Sequence, residues 1–489
     1  MSSDLKAVIL AAGKGTRLKS ELPKVLHPLF GKPILMHVLD TLGALKASEA
    51  CVIVGHGRAQ VLPALDCYAE SKTAQPEGAS ETVITTITQE PQLGTGHALL
   101  QVRQKLSAWA AYTGDVLVLS GDVPLLTADA LTRLLQVHRE THQDLTLLAA
   151  ALPNPFGYGR VITEPSPNGP PSAVSVTRIV EQKDATEAEK AVSLVNTGIY
   201  CLNWAKISPL LDQLSNQNAQ GEFYLTDVIA LAVQAGYSVG LAHLDDPEEM
   251  LGVNSRADLA LCHDVLNRRT LNRLMADGVT ILHPASTFIG PDVSIGTDST
   301  VLPGCYLQGS VTIGKRCTIG PHTTMSGTVV IEDDVKVLQS SVRDARIGSF
   351  SSVGPFAQLR DGVELSHHVN IGNFVEVKKA SIDHHTNAAH LSYLGDATLG
   401  TDVNIGAGTI TANYDPIRDV KSQTLIEDGA KVGSNSVLVA PVTVGQHASV
   451  AAGSVITKDV SPWDLAIARG RQVAVSDWVK RTKGITEPV

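Results

Sequence analysis

The chain has 489 residues, 43 % hydrophobic and 18 % charged, with a formal net charge of −10, which is enough for two or three domains that each bury a full core. The negative balance argues against a broad nucleic-acid surface, so an anionic substrate must be held by local basic residues and backbone amides. No apolar run of about eighteen residues and no leader-like pattern occurs, and six cysteines without metal-ligand or secreted-framework spacing read as reduced thiols, so a cytoplasmic protein with no membrane and no nucleic-acid partner is expected.

Residues 1 to about 254 alternate short apolar runs, at 7–10, 50–54, 115–119 and 145–149, with helical patterns. The alternation predicts an α/β domain with a mainly parallel sheet and a ligand site beyond the carboxyl ends of its strands. The first strand runs into Leu10-Ala11-Ala12-Gly13-Lys14-Gly15-Thr16-Arg17. Such a loop lets backbone N–H groups approach phosphate oxygens, although a tight structural turn has the same composition. Lys24, seven residues past Arg17 in Leu22-Pro23-Lys24, adds a second cation, as triphosphate chemistry requires. The strand at 116–119 ends in Ser120-Gly121-Asp122-Val123-Pro124. There a carboxylate can hold Mg²⁺ against a phosphate or serve only as a turn aspartate.

From Ser255 to Asp277 the pattern predicts one long helix, capped by Ser255 with Asp258 in its first turn and stopped at Gly278. Its narrow stripe of Leu259, Cys262, Leu266 and Leu274 fits an arm between domains or a packed surface helix. From Ile289 to Val337 an aliphatic or methionine stands at every sixth position, nine hits in nine, with a small or β-branched residue four places on. Neither a helix nor a half-buried strand has that period; it predicts a solenoid in which three six-residue units close one triangular coil. The period resumes at Ile347 to Val377 and at Ile426 to Ile456. About nine coils would rise about 4.8 Å each around a dry interior. Beyond the prism lie Trp463, Trp478 and the basic run Lys480, Arg481, Lys483.

Two interruptions carry polar groups: 373–394, with Lys378, Lys379, His384, His385, His390 and Tyr393, and 411–423, opening near Asn413 and Tyr414. A polar cluster on the buried side of an aliphatic solenoid needs a reason. A neutral imidazole at His390 can accept a proton near neutral pH. The pairs His367-His368 and His384-His385 fit solvated histidines or metal ligands, with no further ligand at suitable spacing.

The order and spacing of Leu10 to Arg17, Leu22 to His27, Gln92-Leu93-Gly94-Thr95-Gly96-His97, Gly157-Tyr158-Gly159-Arg160, Asn196-Thr197-Gly198 and Gly252-Val253-Asn254, followed by hexapeptide repeats, resemble the bifunctional GlmU family over nearly the whole chain. The resemblance implies a Rossmann-like nucleotidyltransferase domain (1–256), a helical linker (257–277) and a left-handed parallel β-helix with its tail (278–489). It implies acetyl transfer from acetyl-CoA to glucosamine 1-phosphate, then uridylyl transfer from UTP to the product, giving UDP-N-acetylglucosamine and pyrophosphate. Carried over position by position, it assigns Leu10, Ala11, Ala12, Gly13, Gln89, Gly94 and Thr95 to uracil and ribose, with Gly121 beside them. A glutamine amide suits uracil because it can both donate and accept. Gly159, Glu181 and Asn196 are assigned to the sugar, Arg17 and Lys24 to the phosphates as catalytic cations, and Asp122 with Asn254 to Mg²⁺. In the prism it makes His390 the general base, puts Arg360 and Lys378 on the sugar phosphate, and sets Tyr393 and Asn404 near the reacting centre. Ala407, Asn413, Tyr414, Ser434, Ala452 and Arg469 are assigned to acetyl-CoA. It further implies a homotrimer whose acetyltransferase sites draw on neighbouring chains. This chain departs from the familiar pattern in the proline-rich loop from Glu164 to Ala173, beside the sugar site, and in Pro416 to Ser422, two residues longer than usual.

Two other functions compete: a nucleotidyltransferase whose prism is only a scaffold, and a regulated sugar nucleotidyltransferase, such as a glucose 1-phosphate adenylyltransferase, whose prism binds an effector. The set Arg360, Lys378, His390, Asn404, Asn413 and Tyr414 speaks against the first. Gln89 with the Gly94-Thr95 turn speaks against a purine.

Overall fold

Two β architectures divide the chain, each following from its hydrophobic period. The computed structural model describes residues 5–73, 82–165 and 174–485, and the chain forms two compact units, Met1–Leu266 and Asn267–Val489. In the first, the apolar runs form β1 (Leu5–Ala11), β2 (Glu49–Val54), β3 (Val83–Thr88), β4 (Asp115–Ser120) and β5 (Leu145–Ala151). A hairpin of β6 (Arg160–Pro165) and β7 (Val174–Val180), then β8 (Leu194–Asn203) and β9 (Val239–His243), complete the sheet. The tip of the long proline-rich loop lies outside the described residues.

Strand order is β9-β5-β8-β4-β1-β2-β3, with the hairpin joined to β8. The centre is parallel, β1 pairing with β2 and β4; β8 runs antiparallel to both β4 and β5. Alternate residues face opposite layers, as period two requires. Ala7, Ile9, Leu117 and Leu119 pack in one core with α1 (Ile34–Ala44) and α4 (Ala128–Glu140), and Val8, Val116 and Val118 in the other with α3 (Thr95–Lys105); α2 (Arg58–Thr73) follows β2. The chain steps outward from β1 to β3 and returns across β1 as β4. The loops leaving β1 and β4 therefore diverge and open a crevice at their carboxyl ends.

The stretch after Ser255 is one helix, α5 (Arg256–Ala276). Its cap is reciprocal: the Asp258 N–H donates to the Ser255 hydroxyl at 3.2 Å, and the Ser255 N–H to the Asp258 carboxylate at 2.8 Å. The division between units falls inside this helix. Cys262 and Val265 are buried with Leu18, Leu29 and Ile34 of the first unit, whereas Leu271 and Leu274 join the core of the second. Each half of α5 thus packs on a core of its own.

In the second unit every residue of the six-residue series is buried, and so are the small or β-branched residues four places after those of the first block from Val293 to Val335; after Val337 the position falls to Ser341, which is exposed. Parallel pairing joins residues eighteen apart, Ile289 with Leu307 and Val301 with Ile319, so three units make a coil and the aliphatics stack inside it. One face is a ladder of eleven strands. The other two faces join as a 17-stranded sheet through Thr324–Ile331 and Ser341–Ile347, which run round a corner. Eleven strands exceed the nine or so coils counted from the period because Thr280–Ile281 and Leu465–Ala466 extend the ladder past the regular repeat. The slips in the period are changes of coil length. Val342 pairs with Leu359, seventeen residues on, and Ile405 with Val432, twenty-seven on, because the hairpin Tyr414–Asp415 against Val420–Lys421 is inserted.

Asn267, on the second half of α5, closes the first coil: its Nδ2 donates to Thr287 O at 2.9 Å and its Oδ1 accepts from Ile289 N at 2.9 Å, both buried. Replacing it with alanine strands two buried backbone groups. Asn267→Ala should lower the stability of the second unit by about 2 kcal/mol or more, read as a shifted urea midpoint at unchanged slope.

Candidate active sites

The crevice at the carboxyl ends of β1 and β4 holds two adjoining cavities. The first, about 430 Å³, is lined by Leu10 to Gly13 at the end of β1 and just beyond it, by Gln89, Gly94 and Thr95 after β3, and by Lys24 and Asp122. Gly94 has a φ of +111° and a Cβ there would lie 2.6 Å from Phe223 O, so only glycine permits this turn. Gly121 lies outside the lining. Its N–H donates to Leu10 O at 3.0 Å and its α-carbon packs near Ala11 and Leu35, so it ties the two loops together.

The second cavity, about 490 Å³, shares Leu10, Thr95, Ser120 and Asp122 with the first and adds Arg17, Glu181, Asn196 and Asn254. Asn196 Nδ2 donates to Tyr200 Oη at 2.8 Å, and its Oδ1 accepts from Gly198 N at 3.2 Å. Gly159 stands behind Glu181, where a Cβ would come within 3.3 Å of the carboxylate. Burial, reinforced by the Asp184 and Asp227 charges, pushes the Glu181 carboxyl above its ordinary range, against the Thr226 hydroxyl that donates to it at 3.3 Å.

Asp122 stands between the cavities. Its Oδ1 accepts from the Ser120 hydroxyl at 2.5 Å, and the Val253 N–H donates to Asp122 O at 2.9 Å. That backbone bond brings Asn254 beside a residue far away in sequence. The Lys24 ammonium pairs with the Asp122 carboxylate and donates to Asn254 Oδ1 at 2.8 Å. A cation thus sits between the two oxygens expected to hold Mg²⁺, and an anionic carboxylate with an amide carbonyl is a hard-oxygen set that suits this ion. Arg17 reaches the second cavity, exposed and without an ion-pair partner among the described residues. The two cations expected to be catalytic therefore line different cavities.

The acetyltransferase candidates line the outside of the prism, which corrects the expectation of a cluster on its buried side. His390, Asn404 and Tyr414 are exposed; the polar residues that the coils bury are mostly small, such as Ser299 and Thr386, whose hydroxyls donate to backbone carbonyls. Arg360 is in register with Lys378, and Lys378 with Gly395. The Tyr393 hydroxyl folds over Gly395, where a Cβ would lie 2.4 Å from it. Arg360 is already paired with Glu376, at 2.9 Å from Nε. A neighbouring corner carries the rest in ladder order: His390 on Asn373, the Gly408 N–H to Leu391 O, the Asn435 N–H to Ala407 O, and the Gly453 N–H to Ser434 O. Arg469 Nη1 donates to Ala452 O at 2.7 Å. Asn413 bonds Asp396, and the Tyr414 hydroxyl donates to Asp419 at 3.0 Å within the inserted hairpin. Neither ring nitrogen of His390 has a partner among the described residues. Leu391 has a φ of +44°, but Phe356 and Phe374 on the same corner are left-handed too, so the turn belongs to the coil.

The histidine pairs are stacked across coils, His367 on His384 at 5.3 Å and His368 on His385 at 4.9 Å between ring centroids. Near-parallel rings that far apart cannot both aim a nitrogen at one ion, and no group of three His, Cys, Asp or Glu among the described residues could hold a metal.

Residues 7–167 match the MobA-like NTP transferase domain, and residues 286–327 and 423–458 the bacterial transferase hexapeptide repeats. "Bifunctional protein GlmU" of Brevibacillus brevis is 44 % identical over 98 % of this chain and 98 % of its own length. Proteins of that name from Exiguobacterium sp. (45 % identical, 97 % of this chain and 99 % of the relative) and Synechococcus sp. (44 %, 98 % and 100 %) match equally well. The chain belongs to the bifunctional GlmU family. It is a two-activity transferase, uridylyl transfer in the nucleotidyltransferase unit and acetyl transfer in the hexapeptide unit, with nucleotide, sugar phosphate and acetyl-CoA as substrates. No described helix is long and apolar enough to cross a membrane.

Gln92 and Ser120 in the first cavity, and Tyr158, Thr226 and Asp258 in the second, line the sites without having been singled out. Gln92, Ser120 and Tyr158 lie inside the sequence motifs above, Asp258 carries the signal of a helix cap and not of a site, and Thr226 has no local signal. The raised Glu181 pKa carries a pH prediction. The fold favours its neutral form, so wild type loses stability as pH rises from the unfolded value of about 4.3 through the raised folded value. Glu181→Gln keeps its neutral group. Its gain in Tm over wild type should vanish below about pH 4 and grow as pH rises toward the raised folded value, measured by calorimetry across the acid and neutral range.

Proposed function

We propose a division of labour for the uridylyl step in which UTP occupies the first cavity and N-acetylglucosamine 1-phosphate the second, meeting at Asp122. The observation that carries this reading is the pair of adjoining cavities that share Asp122, with Lys24, paired to Asp122, in the first and Arg17, without an ion-pair partner among the described residues, in the second. An oxygen of the sugar phosphate attacks the α-phosphorus of UTP and pyrophosphate leaves. The nucleophile is already an anion and needs no base, so alignment and charge neutralisation lower the barrier. Arg17 offsets the charge of the incoming sugar phosphate and Lys24 that on the α-phosphate. Asn196 and Glu181, backed by Gly159, orient the sugar. Asp122 and Asn254 would hold Mg²⁺, which when bound supplies further charge neutralisation at the phosphates.

In the acetyl step, His390 takes the proton from the amine of glucosamine 1-phosphate as its nitrogen attacks the thioester and the CoA thiolate leaves. Lys378, with Arg360 in register beside it, anchors the sugar phosphate, and Tyr393 and Asn404 flank the sugar. Ala407, Asn413, Tyr414, Ser434, Ala452 and Arg469 carry acetyl-CoA along the corner. That corner is open, and it bears exposed Phe356, Phe374 and Leu391, 52, 59 and 63 % accessible. A patch of that kind on a stiff solenoid favours a homotrimer in which a neighbouring chain completes the site. Six free cysteines support a reducing, cytoplasmic setting.

Thiol release and pyrophosphate release, followed separately, test the division. His390→Ala should cut acetyl transfer by about 10²-fold or more with uridylyl transfer near wild type; Asp122→Ala should do the reverse. Loss of both activities in either folded variant would overturn the proposal of independent sites. Sedimentation of the whole chain should give a trimer, and charged substitutions at Phe356 and Phe374 should yield monomers that lose acetyl transfer and keep uridylyl transfer.

A further inference from the structure

Gln89 is 4 % exposed and lines the first cavity at the end of β3. Its Nε2 lies 2.9 Å from Gly94 O and 3.1 Å from His97 Nδ1. A carbonyl only accepts, so the nitrogen of the Gln89 amide must face Gly94. One of its two hydrogens goes there, and the other goes to His97 Nδ1, which is therefore the unprotonated nitrogen of the ring. The ring proton then sits on Nε2, which lies 3.1 Å from Nε2 of buried Gln101; a neutral ring cannot accept at both nitrogens, so the Gln101 amide is turned end for end. That amide must present its oxygen, its two ends being assigned by this network. Burial and the Lys105 charge both hold the His97 pKa below its ordinary value, in keeping with a neutral ring.

The relay from Gln101 through His97 to Gln89 and Gly94 uses both donors of Gln89. Its Oε1 has no partner among the described residues and is left for the cavity. The sequence reading expected an amide that both donates to and accepts from the base; the geometry leaves it an acceptor only. An acceptor at that position matches the N3–H of uracil and opposes the lone pair of cytosine N3. Because Gly94 O alone provides one lock on the amide, His97 provides the second.

We infer that His97 is a specificity-determining positioning residue. It acts through Gln89, locking the amide so that only its oxygen meets the base, and the enzyme thereby selects pyrimidines with an N3–H over cytosine. This rests on the first cavity being the nucleotide-base site of uridylyl transfer.

The test compares kcat/KM for UTP and CTP in wild type, His97→Phe and His97→Asn, with circular dichroism and the thermal unfolding transition of the first unit as the control for folding. His97→Phe keeps the bulk and removes the acceptor. Its UTP-to-CTP ratio should fall about tenfold, the equivalent of one net hydrogen bond, through a higher KM for UTP and a lower one for CTP at little-changed kcat. His97→Asn, whose amide oxygen can stand in for Nδ1, should hold the ratio within about twofold of wild type. Should His97→Phe fail to fold, Gln101→Leu removes the acceptor that keeps the proton on Nε2 and should lower the ratio in the same direction. An unchanged ratio in folded His97→Phe, or an equal fall in His97→Asn, overturns the inference. Wild type that uses CTP as well as UTP would instead overturn the base-site reading on which it rests.

Discussion

Closure of the coil is the constraint on which the second unit depends. Eighteen residues return the chain to its starting ladder only if every sixth side chain points into a dry interior, where an unpaired polar group would cost several kcal/mol. The interior is therefore closed to chemistry. Everything that could bind or react is pushed to the faces and corners, which explains why His390, Asn404 and Tyr414 are exposed and why the extra residues of the 411–423 segment leave the prism as a hairpin. The same constraint turns one-dimensional spacing into three-dimensional proximity. Arg360 and Lys378, or Ala407 and Ser434, lie one coil apart because they are one coil apart in sequence.

The first unit meets the opposite condition. Its proposed reaction centre gathers at the switch point between β1 and β4, where two loops diverge, and its groups come from widely separated segments. Asp122 is the hub, held by Ser120 from its own strand and paired with Lys24, with Asn254 brought alongside by a backbone bond from Val253. The arrangement is half-buried and largely satisfied, suited to a reaction in which preset charges do the work. The proposed acetyl site, open and with an unpartnered imidazole at His390, suits a proton transfer to that ring. The two mechanisms differ as their scaffolds differ.

The Gln89 relay illustrates a smaller version of the same logic. Glutamine can donate or accept, so its identity carries no preference for one base. Its preference is set by neighbours that use up its donors, His97 from the first turn of α3 and the Gly94 carbonyl that precedes it.

How much was legible in the sequence follows from the range of each interaction. The solenoid was readable because its period is local: each buried position from Ile289 to Val337 is marked by its own residue type. The parallel core strands, the helix from Arg256 and the loops after β1 and β4 were readable for the same reason. What the sequence alone could not decide involves partners set by folding. Lys24 sits between Asp122 and Asn254, Thr226 and Asp258 line the second cavity, Arg360 is taken up by Glu376, and α5 divides its two halves between two cores. A residue's type states which bonds it can make; only the tertiary structure, by bringing distant donors and acceptors within 3 Å or so, decides which of them it has left to offer a substrate.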